Sequence, residues 1–214
     1  IDVGGKAEIQ ALVSELAGRA TVIKKAAEMG IDLTGDKDKD TLTRLLKRLK
    51  EKEHAGYHYE VADASLELFL RRELGLHKPI VELDNFRVIV QKRKSAVISE
   101  AKIVLKGNGS GELPIAFAEG NGPVNALDIA LRKLLPARYP KLVDELAKIQ
   151  LVNYKVRILN EHKGTGAVTR VLLDSSDGQI SWGTIGVSEN IIEASWEALV
   201  DSIEYGLLKR RRRR

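Results

Sequence analysis

The chain contains no cysteine, only one methionine and no long apolar run. The absence of cysteine excludes disulfide frameworks, thiol catalysis and cysteine-ligated zinc sites. No segment approaches the roughly 18 consecutive apolar residues that a membrane-spanning helix needs, so we expect no membrane partner. The first ten residues, IDVGGKAEIQ, also lack the apolar core of a signal peptide. These absences predict a soluble protein of the cytoplasm.

The chain has no excess charge outside its last five residues. It carries 35 Lys and Arg against 30 Asp and Glu, and Arg210 to Arg214 account for the whole excess. The net charge therefore does not indicate a basic surface. Two interpretations of the arginines stay open: a solvated tail, or a nucleic-acid-binding tail whose affinity would fall steeply with salt. Because only 5% of the residues are aromatic and no DNA- or RNA-binding motif is recognisable, we expect no nucleic-acid partner.

Residues 1–76 have the pattern of short helices. Apolar residues recur at helical spacing in four segments, and glycine or polar turns separate these segments. Short helices with apolar stripes suit an arm that docks onto another domain, and they equally suit a small helical domain. The segments predicted to be helical are Ala7–Ala17, Thr21–Met29, the run from Asp40 to Leu49, and Ala62–Leu74.

From residue 77 onwards the pattern changes to strands followed by a helix. Apolar residues recur with a period of two over residues 86–90, which is typical of a strand. Two further strands are predicted at 101–105 and 114–118, with tight hairpins between the strands. A helix is then predicted over Pro123–Leu135, with proline in its first turn.

The same order of elements recurs in the second half of this region. The segment NFRVIV, from Asn85 to Val90, matches NYKVRI, from Asn153 to Ile158, and Val124 falls on Ile192 at the same offset. We call this constant spacing of 68 residues (153 − 85) the repeat offset. It holds through three strands and into a helix, which is predicted to end at Leu207. Such a match indicates an internal duplication of a βββα unit.

The predicted fold class is therefore α+β, with a helical region followed by a duplicated domain of pseudo-twofold symmetry. We expect helical subdomains in residues 1–76, the duplicated domain in 77–209, and a basic tail in 210–214. The repeat units cover about 84–135 and 152–203. The uncovered faces and edges of two three-stranded sheets need a partner, so the seam between the repeats suits a small pocket or a dimer contact.

A glycine-rich or polar turn leads into each of the two repeat helices. The motif GNGPVNA spans Gly120 to Ala126, and GVSEN spans Gly186 to Asn190. Helix N-termini offer N–H groups and a positive dipole end, which suit a carboxylate or a phosphate. The two turns are therefore either a paired anion-recognising site or plain structural caps. Neither has the pattern of a Walker loop or of GxGxxG.

No complete active site is recognisable in the sequence. His54 and His58 have the i, i+4 spacing of two metal ligands, but Gly56 lies between them and there is no HExxH pattern. Acidic residues are scattered and give no persuasive acid–base pair. We therefore expect neither a catalytic residue nor a metal site in this chain.

Several segments resemble the C-terminal half of the 2-isopropylmalate synthase/citramalate synthase family. Residues Leu12 to Asp32 and Glu53 to Arg72 are similar to the two linker subdomains of that family. The segments ELDNFRVIV, AEGNGPVNALDIALRKLL and WGTIGVSENIIEASWEALVDSIEYGLL are similar to its allosteric, dimerising domain. The resemblance covers residues 3–209, and GYHYEVADAS is closer to the citramalate branch.

The resemblance implies a regulatory fragment that is inactive by itself. The catalytic (β/α)8 barrel of the family binds a divalent metal through an Asp and a His-x-His pair, and this chain has no His-x-His. The parent reaction implied is the condensation of acetyl-CoA with pyruvate to (R)-citramalate, in isoleucine biosynthesis. The implied partners are a second copy of the chain, the catalytic barrel of the parent enzyme and a branched-chain amino acid, with isoleucine favoured. The alternatives are a leucine-binding 2-isopropylmalate synthase domain and a stand-alone dimeric amino-acid sensor.

The resemblance also implies an effector site near the dimer interface, for which the turns before the two repeat helices are the candidates. The carboxylate of the amino acid would lie beside the N–H groups of one turn, and its branched side chain would occupy an apolar pocket. Burial of such a side chain contributes roughly 1.5–3 kcal/mol. The candidate effector-binding residues are Gly120, Asn121, Gly122, Val124, Asn125, Leu127, Gly186, Ser188, Asn190, Ile191 and Ile192.

Overall fold

The computed structural model describes residues 18–33, 39–107 and 113–212. The predicted helix Ala7–Ala17 lies outside these residues. The chain divides into two compact units, which we call the helical unit (Ile1–Ala55 and Glu67–Lys78) and the sheet unit (Gly56–Leu66 and Pro79–Arg214). The chain therefore passes from one unit to the other at three points.

The helical unit contains α1 (18–28), α2 (Lys39–His54) and most of α3 (Asp63–Glu73). The apolar residues of α2 that were predicted to share one face are all buried. Arg71 of α3 donates a hydrogen bond to the carbonyl of Met29, at 2.7 Å, and pairs with Glu67 at 2.8 Å. The three helices predicted between residues 21 and 74 are thus confirmed, although α1 is already helical at residue 18 and α2 continues past Leu49.

The sheet unit contains two antiparallel three-stranded sheets. The first has β1 (Leu83–Arg93), β2 (Ala96–Leu105) and β3 (Ile115–Gly120) in that order. The second has β4 (Gln150–Leu159), β5 (Val168–Ser176) and β6 (Ser181–Ser188) in the same order.

The register of the two sheets confirms the duplication. Val88 pairs with Ala101 in the first sheet, and Val156 pairs with Val171 in the second. The repeat offset takes Val88 to Val156 but takes Ala101 to Thr169 rather than to Val171. The partner strand of the second sheet is therefore shifted by two positions, which keeps every side chain on the same face. The α+β class is confirmed.

One long helix covers each sheet. Helix α4 (Pro123–Arg138) packs across β2 and β3, and α6 (Ile191–Arg212) packs across β5 and β6. The short helix α5 (Val143–Lys148) and a 3₁₀ turn before it connect the repeats. A single core joins both repeats, with Leu127, Leu131, Leu173 and Leu199 among its buried members. Each helix therefore buries the apolar face of its own sheet, as the repeat pattern predicts.

The hairpins differ from the expectation of uniformly tight turns. The β1–β2 turn is tight, because Arg93 pairs directly with Ala96. The β4–β5 connection is longer: it contains a stretch of 3₁₀ helix, Glu161–Gly166, which follows Asn160 in the left-handed region. The turn GNGSG predicted between β2 and β3 includes residues 108–111, which lie outside the described residues.

The last helix extends beyond its predicted end at Leu207. Helix α6 continues to Arg212, so the first arginines are helical rather than part of a separate tail. Arg210 also donates a hydrogen bond to the buried carboxylate of Asp177, at 3.1 Å. Arg210 therefore belongs to the folded sheet unit, and the interpretation of all five arginines as a tail beyond the last helix is wrong. Among the described residues, no helix is long and apolar enough to span a membrane.

Candidate functional site

The first turn of α4 is not capped by a side chain. Its N-cap residue is Gly122, which has no side chain to accept a hydrogen bond, and Pro123 occupies the first turn. Asn121 lies just before the helix, and its N–H donates a hydrogen bond of 3.0 Å to the side-chain oxygen of Asn125. The first turn of α4 holds no acidic residue. The positive end of this helix dipole is therefore not neutralised by the helix itself.

The N-terminus of α6 is capped by its own side chains. Asn190 accepts a hydrogen bond from the N–H of Ile192 at 2.9 Å, and Ser188 accepts one from the N–H of Asn190 at 3.0 Å. Ser188 also donates to the carboxylate of Glu193, at 2.5 Å, in the first turn. A carboxylate therefore already lies at the positive end of this helix dipole. The N-termini of α4 and α6 are consequently not equivalent anion sites.

Two of the candidate glycines are required by close packing. A Cβ on Gly120 would collide with the backbone of Ala126, and a Cβ on Gly186 would collide with the carbonyl of Ala194. Gly122, by contrast, has no atom within 4 Å of the position that a Cβ would take. Gly186 therefore lets α6 approach β6, while Gly122 leaves open space at the start of α4.

A cavity of about 280 Å³ lies at this open helix start, and we call it the α4 cavity. Its size is near the lower limit for small-molecule sites. Its walls come from the first turns of α4, from strand β4 and from α6, so both repeats contribute. The lining residues are Gly122, Pro123, Val124, Asn125, Asp128, Leu151, Tyr154 and Leu199.

Two polar side chains are held in fixed positions in the wall of the α4 cavity. Asp128 accepts a hydrogen bond from the guanidinium of Arg132 at 2.8 Å, one turn further along α4. Tyr154 and Ser195 share a hydrogen bond of 2.8 Å between their hydroxyl groups. Most of the remaining wall is apolar and includes leucine side chains from β4 and α6. The cavity thus combines an uncapped helix N-terminus, one carboxylate and an apolar surface.

The structure brings together some of the predicted site residues and separates others. Gly122, Val124 and Asn125 line the α4 cavity, and Asn121 lies beside it through its bond to Asn125. Leu127 is fully buried in the core, and Gly120 serves the close contact with the same helix turn. From the second repeat, none of the predicted residues lines this cavity. They are Gly186, Ser188, Asn190, Ile191 and Ile192, of which Ile191 is 42% exposed and Ile192 packs against the core.

The lining residues Asp128, Leu151, Tyr154 and Leu199 were not predicted. A signal for two of them exists in the internal repeat. At the repeat offset, Asp128 corresponds to Trp196 and Tyr154 corresponds to Phe86. The rings of Phe86 and Trp196 pack with 5.7 Å between their centroids. Where Asp128 and Tyr154 line the cavity, the corresponding pair, Trp196 of the second repeat and Phe86 of the first, therefore forms an aromatic contact.

A larger groove of about 550 Å³ lies on the first sheet. Both basic and acidic side chains line it, including Arg87, Lys102, Glu100 and Glu119. Lys102 lies over the ring of the exposed Phe117, with 5.7 Å to the centroid. Across the strands like charges face each other, Arg87 opposite Lys102 and Glu100 opposite Glu119, so the groove presents both signs of charge. None of the predicted site residues lines this groove, whereas three of them line the α4 cavity, which is therefore the better candidate site.

The remaining chemistry of the described residues offers no metal centre. Within residues 18–33, 39–107 and 113–212, no three His, Asp or Glu side chains lie close enough together to hold a metal ion. His58 lies 3.4 Å from the carboxylate of Glu60 on the surface.

Comparisons with known proteins agree with this architecture. The model of the LeuA allosteric (dimerisation) domain matches residues 60–207. The chain is 48% identical over 209 residues to the (R)-citramalate synthase of Aquifex aeolicus, which covers 97% of this chain and 38% of that protein. It is 50% identical over 200 residues to the (R)-citramalate synthase of Streptomyces coelicolor, with 92% and 36% covered. The 2-isopropylmalate synthase of Methanocaldococcus jannaschii is 29% identical over 211 residues, with 97% and 37% covered. The chain thus spans less than two-fifths of the length of these curated relatives.

Proposed function

The chain belongs to the LeuA allosteric (dimerisation) domain family, and on that premise we propose that it is the amino-acid-sensing region of a longer acyltransferase. The proposed parent reaction condenses acetyl-CoA with pyruvate to give (R)-citramalate in the cytoplasm. Its catalytic barrel, with the divalent metal that the family resemblance implies, would lie outside this chain. The relatives named (R)-citramalate synthase share 48% and 50% of aligned residues, against 29% for a 2-isopropylmalate synthase. This difference supports the citramalate branch.

We place the proposed effector in the α4 cavity. A free amino acid has a carboxylate, an ammonium group and a side chain, and the cavity offers a partner for each. The carboxylate would accept hydrogen bonds from the N–H groups of Val124 and Asn125, at the uncapped end of α4. The ammonium would pair with Asp128, and the branched side chain would contact Leu151 and Leu199.

The observation that carries this proposal is the difference between the N-termini of α4 and α6. A helix N-terminus without an acidic residue attracts an external anion, whereas the start of α6 already holds Glu193. The residues corresponding to Asp128 and Tyr154 are Trp196 and Phe86, which pack against each other. We therefore propose one effector site per chain, at α4, rather than a matched pair.

Isoleucine is the effector that we propose, by the end-product logic of the citramalate branch. Its side chain would bury in the apolar wall with a gain of roughly 1.5–3 kcal/mol. A hydrophobic pocket separates amino acids that differ by one methylene by only about 10- to 200-fold. Valine, which has one carbon fewer, should therefore bind more weakly by a factor in this range, whereas leucine is an isomer of isoleucine with equal apolar volume and is the natural competitor.

The chain is also proposed to form a homodimer through strand β4. Tyr154, Val156 and Ile158 of this edge strand are 37%, 39% and 58% exposed. They share a face of the sheet with the buried residues opposite them on β5, among them Val171 and Leu173. Exposed apolar rows on edge strands are normally covered by a partner. Since Tyr154 also lines the α4 cavity, dimerisation would place the second copy beside the effector site.

Isothermal titration calorimetry of isoleucine into the chain tests the effector proposal. We expect one site per chain, with weaker binding of valine. Asp128→Asn should weaken binding by about 10- to 100-fold, since a hydrogen bond to a charged group is worth about 1.5–3 kcal/mol. Asp144→Asn, on the exposed surface of α5, is the matched control and should bind as the parent chain does.

Two kinds of result would contradict the proposal. Absence of heat and of a thermal shift at millimolar isoleucine and leucine would refute an effector site in this chain. Equal affinity of the Asp128→Asn and Asp144→Asn variants would refute the role of Asp128, and two equivalent sites per chain would refute the distinction between the helix N-termini.

A further inference from the structure

Three acidic side chains lie along one face of α6. Glu197, Asp201 and Glu204 are spaced by four and three residues, which places them on the same side of a helix. Asp201 is 6% exposed and Glu204 is fully buried. A buried carboxylate is costly unless it accepts hydrogen bonds, so the partners of these groups are part of the fold. We call this set the acidic face of α6.

The first two carboxylates bind side chains of the segment Gly56–Leu66. The hydroxyl of Tyr57 donates to the carboxylate of Glu197, at 2.5 Å. Burial and the negative charge of Glu197 raise the pKa of this phenol well above its ordinary range. The hydroxyl of Ser65 donates to Asp201 at 2.7 Å and accepts from the N–H of Ile185 at 3.1 Å. This segment is thereby attached to α6 and to strand β6.

The third carboxylate binds the backbone just before the first sheet. Both the N–H of Ile80 and the N–H of Val81 donate to one oxygen of Glu204, at 2.8 and 3.0 Å. These two residues shortly precede β1, and both are buried. Glu204 therefore holds the chain at the point where it leads into the first sheet.

Each carboxylate thus holds the chain next to a point where it passes between the two units. Tyr57 follows the crossing after Ala55, Ser65 precedes the crossing after Leu66, and Ile80 follows the crossing after Lys78. All three contacts lie within the sheet unit. A single helix therefore anchors every covalent connection that leaves this unit for the helical unit.

The opposite face of the same helix borders the α4 cavity. Successive residues of an α-helix turn by about 100°, so Leu199 lies about 200° around the helix axis from Glu197. Leu199 lines the cavity and is 2% exposed. The anchored connections and the proposed effector site thus contact opposite sides of one rigid element.

The corresponding face of α4 has no such carboxylates. At the repeat offset, the acidic face of α6 corresponds to Ile129, Lys133 and Pro136. If the carboxylates of the acidic face served only to stabilise a βββα unit, both repeats would be expected to have them. The presence of the acidic face in the second repeat alone coincides with the attachment of the three connections.

We propose that α6 couples occupation of the α4 cavity to the anchoring of the three chain connections through its acidic face. This inference rests on the proposed effector site. A ligand that contacts Leu199 favours one position of α6, and the three carboxylates carry that preference to the residues that they bind. The kind of signal that would leave the sheet unit is therefore a change in how firmly residues 57–65 and 80–81 are held.

Hydrogen exchange measured by mass spectrometry on the full chain tests the coupling, with saturating isoleucine as the probe. Peptides that cover residues 57–66 and 79–82 should exchange at least about fivefold more slowly when isoleucine is bound. A factor of about five is the lower end of typical coupling between two sites. Glu204→Leu should still bind isoleucine, about fivefold more weakly because the coupling is reciprocal, and should lose this protection at residues 80–81. Glu204→Gln keeps an oxygen that can accept hydrogen bonds from Ile80 and Val81, so this variant should retain the isoleucine-dependent protection. Leucine and glutamine are similar in size, so a difference between the two variants cannot come from side-chain volume.

A milder variant keeps the test decisive if Glu204→Leu fails to fold. Ser65→Ala removes one hydroxyl, and it should abolish the isoleucine-dependent protection of residues 62–66 while isoleucine still binds. Calorimetric binding without slower exchange in the parent chain would overturn the coupling and leave the effector proposal standing. Absence of binding would overturn both. Equal protection in the parent chain and in the folded variants would show that the acidic face does not carry the signal.

Discussion

The substitution Gly186→Ala tests the close approach of α6 to its sheet. An added Cβ at this position would meet the carbonyl group of Ala194 and the backbone nitrogen of Ala198. These are backbone atoms inside a helix, so they cannot rotate away as a side chain can. The corresponding residue of the first repeat is Ala118, which shows that α4 leaves room for a methyl group where α6 does not.

The expected cost follows from this geometry. Overpacking a core by one or a few methylene groups costs typically about 1–3 kcal/mol, and we expect the upper end because helical backbone must move. For a chain of this size, each kcal/mol lowers the melting temperature by roughly 2–4 °C. The Gly186→Ala variant should therefore melt roughly 6–12 °C below the parent chain.

Urea unfolding followed by circular dichroism measures this cost directly, and a calorimetric scan supplies the melting temperature. Gly166→Ala is the matched control, because it adds the same methyl group at a glycine with no atom within 4 Å and no left-handed backbone. That variant should be within about 1 kcal/mol of the parent chain. If Gly186→Ala were as stable as Gly166→Ala, the close packing of α6 on β6 would be refuted.

Two further predictions concern buried hydroxyl groups. Ser99 is fully buried, and its hydroxyl has no hydrogen-bond partner within the described part of the chain. Ser99→Ala should therefore leave the free energy of unfolding unchanged or raise it by about 1 kcal/mol. A decrease of more than about 1 kcal/mol in urea unfolding would show that the hydroxyl is hydrogen-bonded. Burial first, then Glu197, Tyr59 and Asp201, raise the pKa of Tyr57. Its neutral form therefore contributes stability that is complete below the ordinary tyrosine pKa of about 10 and decreases as the pH rises above it. Tyr57→Phe should make the stability decline less steeply above about pH 10 in unfolding curves recorded across that range, and an unchanged slope would contradict the assignment.

Several parts of the fold could be predicted because they depend on local pattern. The period-two strands, the proline at the start of α4 and the constant repeat offset are all visible along the chain without knowledge of its packing. They predicted both sheets, both helices and the duplication. The length of the β4–β5 connection was missed because Asn160 in the left-handed region and the following 3₁₀ stretch carry no strong pattern. The end of α6 was missed because Arg210 gains a partner, Asp177, that is 33 residues distant.

The candidate site could be predicted only in part, for a similar reason. The motif at the start of α4 named Gly122, Val124 and Asn125, since a helix N-terminus is visible in sequence as Gly followed by Pro. Residues of β4 and α6 also line the cavity, and only packing places them beside that helix end. The sequence difference between the repeats at Asp128 and Trp196 indicates an asymmetry, but only the packing shows that Asp128 borders a cavity and that Trp196 contacts an aromatic ring.

The sequence by itself determined the α+β class, the duplicated βββα unit and the family, because periodicity and repeated motifs are properties of the chain. Only the tertiary structure decided which of the two helix N-termini is open, since that depends on Ser188 and Glu193 closing one and on a glycine leaving the other uncapped. It also decided that the carboxylates of α6 hold the connections between the two units. A helix pattern shows that three residues share a face, but the groups that satisfy a buried charge come from distant parts of the chain, and folding alone brings them within hydrogen-bonding distance.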